Sequence, residues 1–105
     1  MEKSLFGTAT REKILFYLLQ NKKCYSSELV HIFGMLYTRV RTGLVRLREL
    51  GILQEYNDGK NHVYYFNPKY PFLKELKALL RQMYKKLPQK ERQKYYENKR
   101  VKELD

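Results

Sequence analysis

The sequence predicts a mainly α-helical fold with a small β-hairpin, an α+β arrangement in one unit with extra helices at its C-terminal end. Three observations predict it. Apolar residues recur at helical spacing in three short segments before Gly51, and Asn57-Asp58-Gly59-Lys60 separates two segments rich in β-branched and aromatic residues. Beyond Pro71, a long amphipathic run leads into a polar, basic tail. A chain of 105 residues has room for one domain and one modest core.

Thr10 can cap a first helix, in which Ile14, Leu15, Leu18 and Leu19 share the face that floors the core. Lys22 to Tyr25 form a connector, readable as a strand, before Ser26 or Ser27 caps a second helix carrying Leu29, Val30, Ile32 and Phe33. Gly34 ends that helix. A third helix runs from about Leu36 to Leu50 and stops at Gly51. Ile52 to Tyr56 and His62 to Phe66 read as the two strands of a hairpin, with Asn67-Pro68 closing it. Helix, tight turn, helix and hairpin, in that order, make a winged helix-turn-helix.

At about 100° per residue, Leu36, Val40, Gly43, Leu44, Leu47 and Leu50 occupy one arc of the third helix and must face the first two helices. The opposite arc carries Thr38, Arg41, Thr42, Val45 and Glu49, with Arg39 and Arg46 along one edge and Arg41 and Arg48 along the other. Small side chains between cationic rails match a groove walled by phosphates. Tyr37, Thr38, Arg41 and Thr42 lie on the first exposed turns, where recognition helices meet base edges, and the fork of Arg41 suits guanine O6 and N7. Arg39, Arg46 and Arg48 are cast as phosphate contacts. The competing reading is an ordinary solvated charged face. Ser26, at the start of the second helix, offers a phosphate a helix N-terminus, although a plain N-cap explains it equally well. Lys60 and Asn61 at the hairpin tip suit the adjacent minor groove or backbone, or are simply a polar turn.

Pro71 is placed to open a fourth helix whose apolar stripe holds Phe72, Leu73, Leu76, Leu79, Leu80, Met83, Tyr84 and Leu87. The stripe is broader than packing on one small domain requires. Leu73, Leu76, Leu80, Met83, Tyr84 and Leu87 are therefore expected to pair across a two-fold axis in a homodimer. Pro88 then starts a polar helix from Gln89 to Arg100. The organisation is thus a winged helix-turn-helix over residues 1–70, a dimerisation helix over 71–87 and a basic helical tail over 88–105. Tyr95, Tyr96 and Val101 are too few apolar residues to give that tail a core of its own.

Lys and Arg number 22 against 11 Asp and Glu, a formal net charge of +11, the footprint of a polyanion binder. From Arg81 onward there are nine Lys or Arg against four Asp or Glu, so the tail carries nearly half of that charge. The single cysteine, Cys24, cannot form an internal disulfide and is expected to be a small packed residue in a reducing compartment. No stretch approaches the roughly 18 consecutive apolar residues of a membrane span, and no secretory leader pattern opens the chain, so the expected location is the cytoplasm. His31, His62 and Cys24 are isolated, with no metal-ligand spacing. A Gly-rich phosphate loop, a nucleophile elbow and a carboxylate dyad are all missing, so neither an enzyme nor a bound cofactor is expected. The ten tyrosines read mainly as core or interface aromatics rather than as stacking platforms.

Leu5-Phe6-Gly7-Thr8-Ala9-Thr10-Arg11-Glu12-Lys13-Ile14-Leu15, Glu28-Leu29, Leu44-Val45-Arg46-Leu47-Arg48-Glu49-Leu50-Gly51-Ile52-Leu53 and Tyr64-Tyr65-Phe66-Asn67-Pro68 together resemble prokaryotic winged helix-turn-helix regulators of the broad ArsR type. They are most similar to the branch that opens Leu-Phe-Gly-x-x-Thr-Arg-x-x-Ile-Leu, some members of which continue into a nucleotidyltransferase domain. The resemblance covers about Leu5 to Leu80. It implies a DNA-binding transcriptional regulator, commonly a dimer, with the third helix in the major groove and the wing beside it. Metal-sensing relatives carry paired cysteines in the second helix or His and carboxylates in the last long helix. This chain has neither set. Gly43 stands where relatives usually place a larger residue; it permits close helix approach at a propensity cost of about 1 kcal/mol.

The expected function is sequence-specific binding of double-stranded DNA by a homodimeric regulator, acting as a repressor, on an operator of two inverted half-sites. Two alternatives stand beside it: a winged-helix protein-interaction module, and a sequence-blind nucleic-acid binder led by the Lys/Tyr tail.

Overall fold

The computed structural model describes residues 5–97. Its elements in chain order are α1 (Ala9–Asn21), β1 (Lys23–Tyr25), α2 (Ser26–Phe33), α3 (Tyr37–Glu49), β2 (Leu53–Asp58), β3 (Asn61–Phe66), α4 (Leu73–Lys85) and α5 (Gln89–Glu91), followed by a π-helical turn over Arg92–Tyr96. The three strands form one antiparallel sheet in the order β1-β3-β2. The mixed α+β winged-helix fold read from the sequence is therefore the fold observed.

Helix α1 begins two residues earlier than Thr10 as its cap would place it. Thr8 is the N-cap, its hydroxyl accepting the Arg11 N–H at 3.1 Å, while Thr10 lies buried inside the helix. With that offset, Ile14, Leu15 and Leu18 are almost wholly removed from solvent, together with Phe16 and Tyr17. The connector after α1 does form a strand. Tyr25 pairs with Val63, Cys24 with Tyr64 and Lys23 with Tyr65, which ties the start of α2 to the wing. Neither Ser26 nor Ser27 caps α2: the N-cap is Tyr25, whose backbone N–H donates to Glu28 Oε1 at 3.1 Å. Cys24 is buried as expected, and burial pushes its thiol well above the ordinary value, leaving it protonated.

Val40, Gly43, Leu44 and Leu47 of α3 face the core. Leu36 and Leu50, assigned to the same arc, are instead exposed, because they are the N-cap and C-cap where the chain turns away from the helix axis. Gly43 is where α3 meets α1: a Cβ there would lie 2.9 Å from Ile14 Cδ1. The hairpin turn is tighter than the four-residue segment suggests. Asp58 and Asn61 still pair, and Gly59-Lys60 alone reverse the chain, Gly59 at φ +64°. Asn67 fastens the base of the wing, its N–H donating to Ile52 O and its Nδ2 to Gly51 O, both at 2.9 Å.

Helix α4 starts at Leu73, two residues after Pro71. Its stripe divides into two uses. Leu80 and Tyr84, expected at a dimer interface, are buried within their own chain, Tyr84 stacking against Phe16 at 5.8 Å between ring centroids. Leu73, Leu76, Met83 and Leu87 are half-buried against the core, and Phe72 and Leu79 are exposed.

The tail is not an appendage over its described part. Tyr96 is 1% exposed and packs edge-on against Phe16 at 5.6 Å, Phe33 at 6.2 Å and Tyr84 at 5.7 Å. Asn21 Nδ2 donates to the Tyr96 carbonyl at 3.0 Å, and Tyr84 Oη donates to Glu97 Oε2 at 2.7 Å. A helix running on to Arg100, and any role for Val101, lie outside the described residues.

Candidate nucleic-acid interface

The second and third helices of the winged helix are joined by only three residues, Gly34 to Leu36, so α3 is set across α2 with its outer arc free. Buried Val40, Leu44 and Leu47 hold it down. That seating leaves Tyr37, Thr38, Arg39, Thr42 and Arg46 exposed on the far side. Arg46 makes an exposed ion pair with Glu49 at 3.5 Å, of a kind worth about 0 to 1 kcal/mol and readily exchanged for another anion.

The other two arginines are engaged more deeply. Arg41 is half-buried, and its Nη1 donates to the hydroxyl of Tyr64 at 2.9 Å. Tyr64 sits on the central strand with no exposed surface, so α3 and the wing are fastened to each other through this bond. Burial and the nearby Glu55 raise the Tyr64 hydroxyl pKa despite the opposing Arg41 charge, keeping it neutral. Arg48 pairs with Glu55 of β2, which also accepts from His62 Nδ1. Burial alone would raise the Glu55 carboxyl, but hydrogen bonds from Arg48 and His62, with their charges, hold it below the ordinary carboxylate range. Arg48 is therefore an ion-pair partner first, and a phosphate could reach it only in competition with Glu55.

Two hollows border the exposed arc. The first is an open cleft of about 580 Å³ between the start of α1 and the first turns of α3, lined by Thr8, Thr10, Arg11, Thr38, Arg39 and Thr42. Arg11 joins this cleft without any helical-face pattern in the sequence that marks it as functional. It is held in place by a bond from Nη1 to the Phe6 carbonyl at 3.0 Å. It sits in the Leu-Phe-Gly-x-x-Thr-Arg segment, the one signal that could have drawn attention to it. The second hollow, about 180 Å³, lies where the start of α2 meets the wing tip and brings Ser26, Ser27, Tyr37, Lys60, Asn61 and His62 together. Ser26, Tyr37, Lys60 and Asn61, far apart along the sequence, thus border one recess, and the pairing of β1 with β3 is what assembles it.

Among the described residues, no three His, Cys, Asp or Glu side chains come together as a metal-ligand group. No helix among them is long and apolar enough to cross a membrane.

No family model matches the sequence, and no curated protein sequence matches it. Among solved structures the chain is similar to BpsR of Bordetella bronchiseptica, from a structure that addresses the mechanism for regulation of its DNA binding by 6-hydroxynicotinic acid. The two are 18% identical with a TM-score of 0.59, over 87% of this chain and 75% of that one. At that identity the likeness speaks for the fold.

Proposed function

We propose that the chain is a sequence-specific, double-stranded-DNA-binding transcriptional regulator of the ArsR-like winged-helix type, acting as a homodimeric repressor in the prokaryotic cytoplasm. One observation carries the reading: the core-facing arc of α3 is buried while the opposite arc stands exposed between two hollows lined by cationic and hydroxyl side chains. That is the form in which a helix enters the major groove with phosphates on both sides. The similarity in fold to BpsR, a protein whose DNA binding is regulated, supports the same reading.

In this reading Tyr37, Thr38 and Thr42 meet base edges. Arg41 joins them through the guanidinium N–H groups not used by Tyr64, its orientation fixed before DNA arrives. Arg11, Arg39 and Arg46 supply phosphate contacts, and Arg48 contributes less because of Glu55. Two copies pair through the outer side of α4, with Phe72 and Leu79 added to Leu73, Leu76, Met83 and Leu87 and with Leu80 and Tyr84 left in each protomer's core. Residues 1–70 act as the reading unit and residues 71–87 as the pairing helix.

Selecting bound sites from a random duplex pool tests this, with solution mass measured alongside. The expected result is an inverted-repeat motif and a dimer mass. Replacing Arg41 and Thr42 together with alanine should erase the preference for that motif over random DNA in a protein that still folds, its unfolding midpoint lowered by loss of the Arg41–Tyr64 bond. An unchanged preference would remove α3 from the reading face.

A further inference from the structure

Only one face of the sheet feeds the core. Residues opposite each other in an antiparallel pair share a face, so the register sets Cys24, Tyr64 and Glu55 on one side, with Leu53 and Phe66. Of these, Cys24, Leu53, Tyr64 and Phe66 join the buried core, while Tyr64 and Glu55 take the bonds from Arg41 and Arg48 of α3. The other side is turned away from α3. It carries two rows across the strand order β1-β3-β2: Lys23, Tyr65 and Gln54, then Tyr25, Val63 and Tyr56.

Val63 is 1% exposed yet has no place in the core cluster, and neither do Tyr25, Tyr56 and Tyr65. Its burial on this outer face comes from the tyrosines around it, which lie down over the sheet. Tyr56 is still 43% exposed, and Tyr25 and Tyr65 are half-buried, as expected of rings with one face inward and one toward solvent. Tyr56 and Tyr65 are diagonal neighbours with ring centroids 5.7 Å apart, and the Tyr65 hydroxyl donates to Gln54 Oε1 at 2.8 Å, which fixes that ring across β2. Beside it lies an open hollow of about 630 Å³ lined by Arg48, Gln54, Glu55, Tyr65 and Asn67. Cross-strand contact steadies the two strands. It leaves the outward ring faces unused.

Charge decides what suits those faces. Lys23 is exposed directly across from Tyr65, Lys22 is exposed beside it, and the chain carries +11 overall. The one carboxylate among the strand residues of this face is Asp58, at the hairpin end beyond Tyr56. A second copy would bring the same positive excess to the contact. Unpaired nucleotides instead bring flat rings for the tyrosines and phosphates for the lysines.

We propose that the outer face of the sheet is a stacking platform for the unpaired bases of a single-stranded nucleic acid, with Tyr56 and Tyr65 taking bases, Tyr25 bordering them and Lys23 holding the backbone. It is a second activity, on the opposite face of the sheet from α3, and does not rest on duplex reading.

The test uses the full chain and labelled oligomers of about twelve nucleotides, within the span of known single-strand sites. One is deoxyuridine, one uridine, and one an abasic strand with the same phosphates. Wild type should bind the base-bearing oligomers about tenfold more tightly than the abasic one. Tighter binding of uridine assigns an RNA strand, and tighter binding of deoxyuridine an opened DNA strand. With ten tyrosines and no tryptophan in the chain, stacking also shows as quenched tyrosine emission. Tyr56→Thr and Tyr65→Thr keep a β-branched residue in each strand. Each should weaken the base-bearing oligomers about tenfold and reduce the quenching, with abasic affinity as in wild type. Lys23→Ala should lower the slope of log affinity against log salt by about 0.7, one single-strand phosphate.

Equal affinity for base-bearing and abasic strands overturns the platform, as does unchanged affinity in both threonine variants. A matching loss for the abasic strand, with a lowered unfolding midpoint, assigns the tyrosines to sheet stability alone. A dimer mass that falls to a monomer mass in Tyr56→Thr, beside unchanged oligomer affinity, gives the face to a second copy instead. Each of these outcomes leaves duplex reading by α3 untouched.

Discussion

A methyl group added at Gly43 sets helix propensity against packing. Alanine in mid-helix is favoured over glycine by about 1 kcal/mol. The new Cβ, however, would stand 2.9 Å from Ile14 Cδ1 and 3.4 Å from Thr10 Cγ2. Ile14 is fully buried, so its terminal methyl has little room to move aside, and overpacking of this kind costs about 1–3 kcal/mol. Gly43→Ala should therefore lower stability in urea unfolding by about 1 kcal/mol net. Combined with Ile14→Val, which deletes the opposing methyl, the total loss should be smaller than the two separate losses. A Gly43→Ala protein more stable than wild type would mean that α1 and α3 part without penalty. Residue by residue, spacing placed Val40, Leu44 and Leu47 correctly because the helical repeat alone decides which way they point. It could not show that Arg41 reaches Tyr64, 23 residues further along, since reach across elements depends on how the wing packs. Nor could it tell a cap from a first helical residue at Ser26. That one-residue difference turns a capping hydroxyl into a buried group without a partner.

Within the wing, Arg48, Glu55 and His62 bind the end of α3 to both strands of the hairpin. A carboxylate held below its unfolded value contributes stability above that value and loses it as pH falls through the folded value. For Glu55 the ordinary value is 4.5, and the folded one lies lower. The wing should therefore be fully held at neutral pH and loosen as acid is added below about 4.5. Amide exchange across Leu53–Asp58 and Asn61–Phe66 measures this, with Glu55→Gln as comparison. The variant should exchange faster than wild type at pH 6 and show a flatter change between pH 5 and pH 3. Parallel profiles for the two proteins would show that the ion cluster does not hold the wing. The strands themselves were legible from Tyr64, Tyr65, Phe66 and the Asp58-Gly59 turn signal. The cluster was not, because Glu55 and His62 become diagonal neighbours on one face only once the register sets Glu55 opposite Tyr64 and Asn57 opposite His62.

Over the whole molecule, α4 and the tail do opposite things with apolar surface. The outer side of α4 leaves Phe72 62% and Leu79 43% exposed, whereas Leu80 has no exposed surface. If α4 pairs two copies, Leu79→Glu should convert a dimer mass to a monomer mass with the fold retained, while Leu80→Ala should cost about 2–5 kcal/mol in each protomer. A Leu79→Glu protein still dimeric by sedimentation would move the pairing surface off this helix. The tail, read from its charge as an arm for nucleic acid, uses Tyr96 to close the core over Phe16, Phe33 and Tyr84. Its composition hid this, because a tyrosine between lysines and glutamates looks solvated until the chain folds back on α1 and Asn21 takes the Tyr96 carbonyl. Truncation after Leu87 would therefore remove cationic charge and core packing in one step, and lost DNA binding could not be assigned to either. Tyr96→Ala in the full chain separates them. Every Lys and Arg remains, while deletion of a buried aromatic costs about 3–5 kcal/mol, a large part of the 5–15 kcal/mol that holds a domain of this size together. The unfolding midpoint should fall steeply. At a temperature where the variant is still folded, the salt dependence of DNA binding should match wild type if the phosphate contacts lie, as proposed, on α1, α3 and the wing. A stable Tyr96→Ala protein with a shallower salt slope would return the tail to the role its charge suggests.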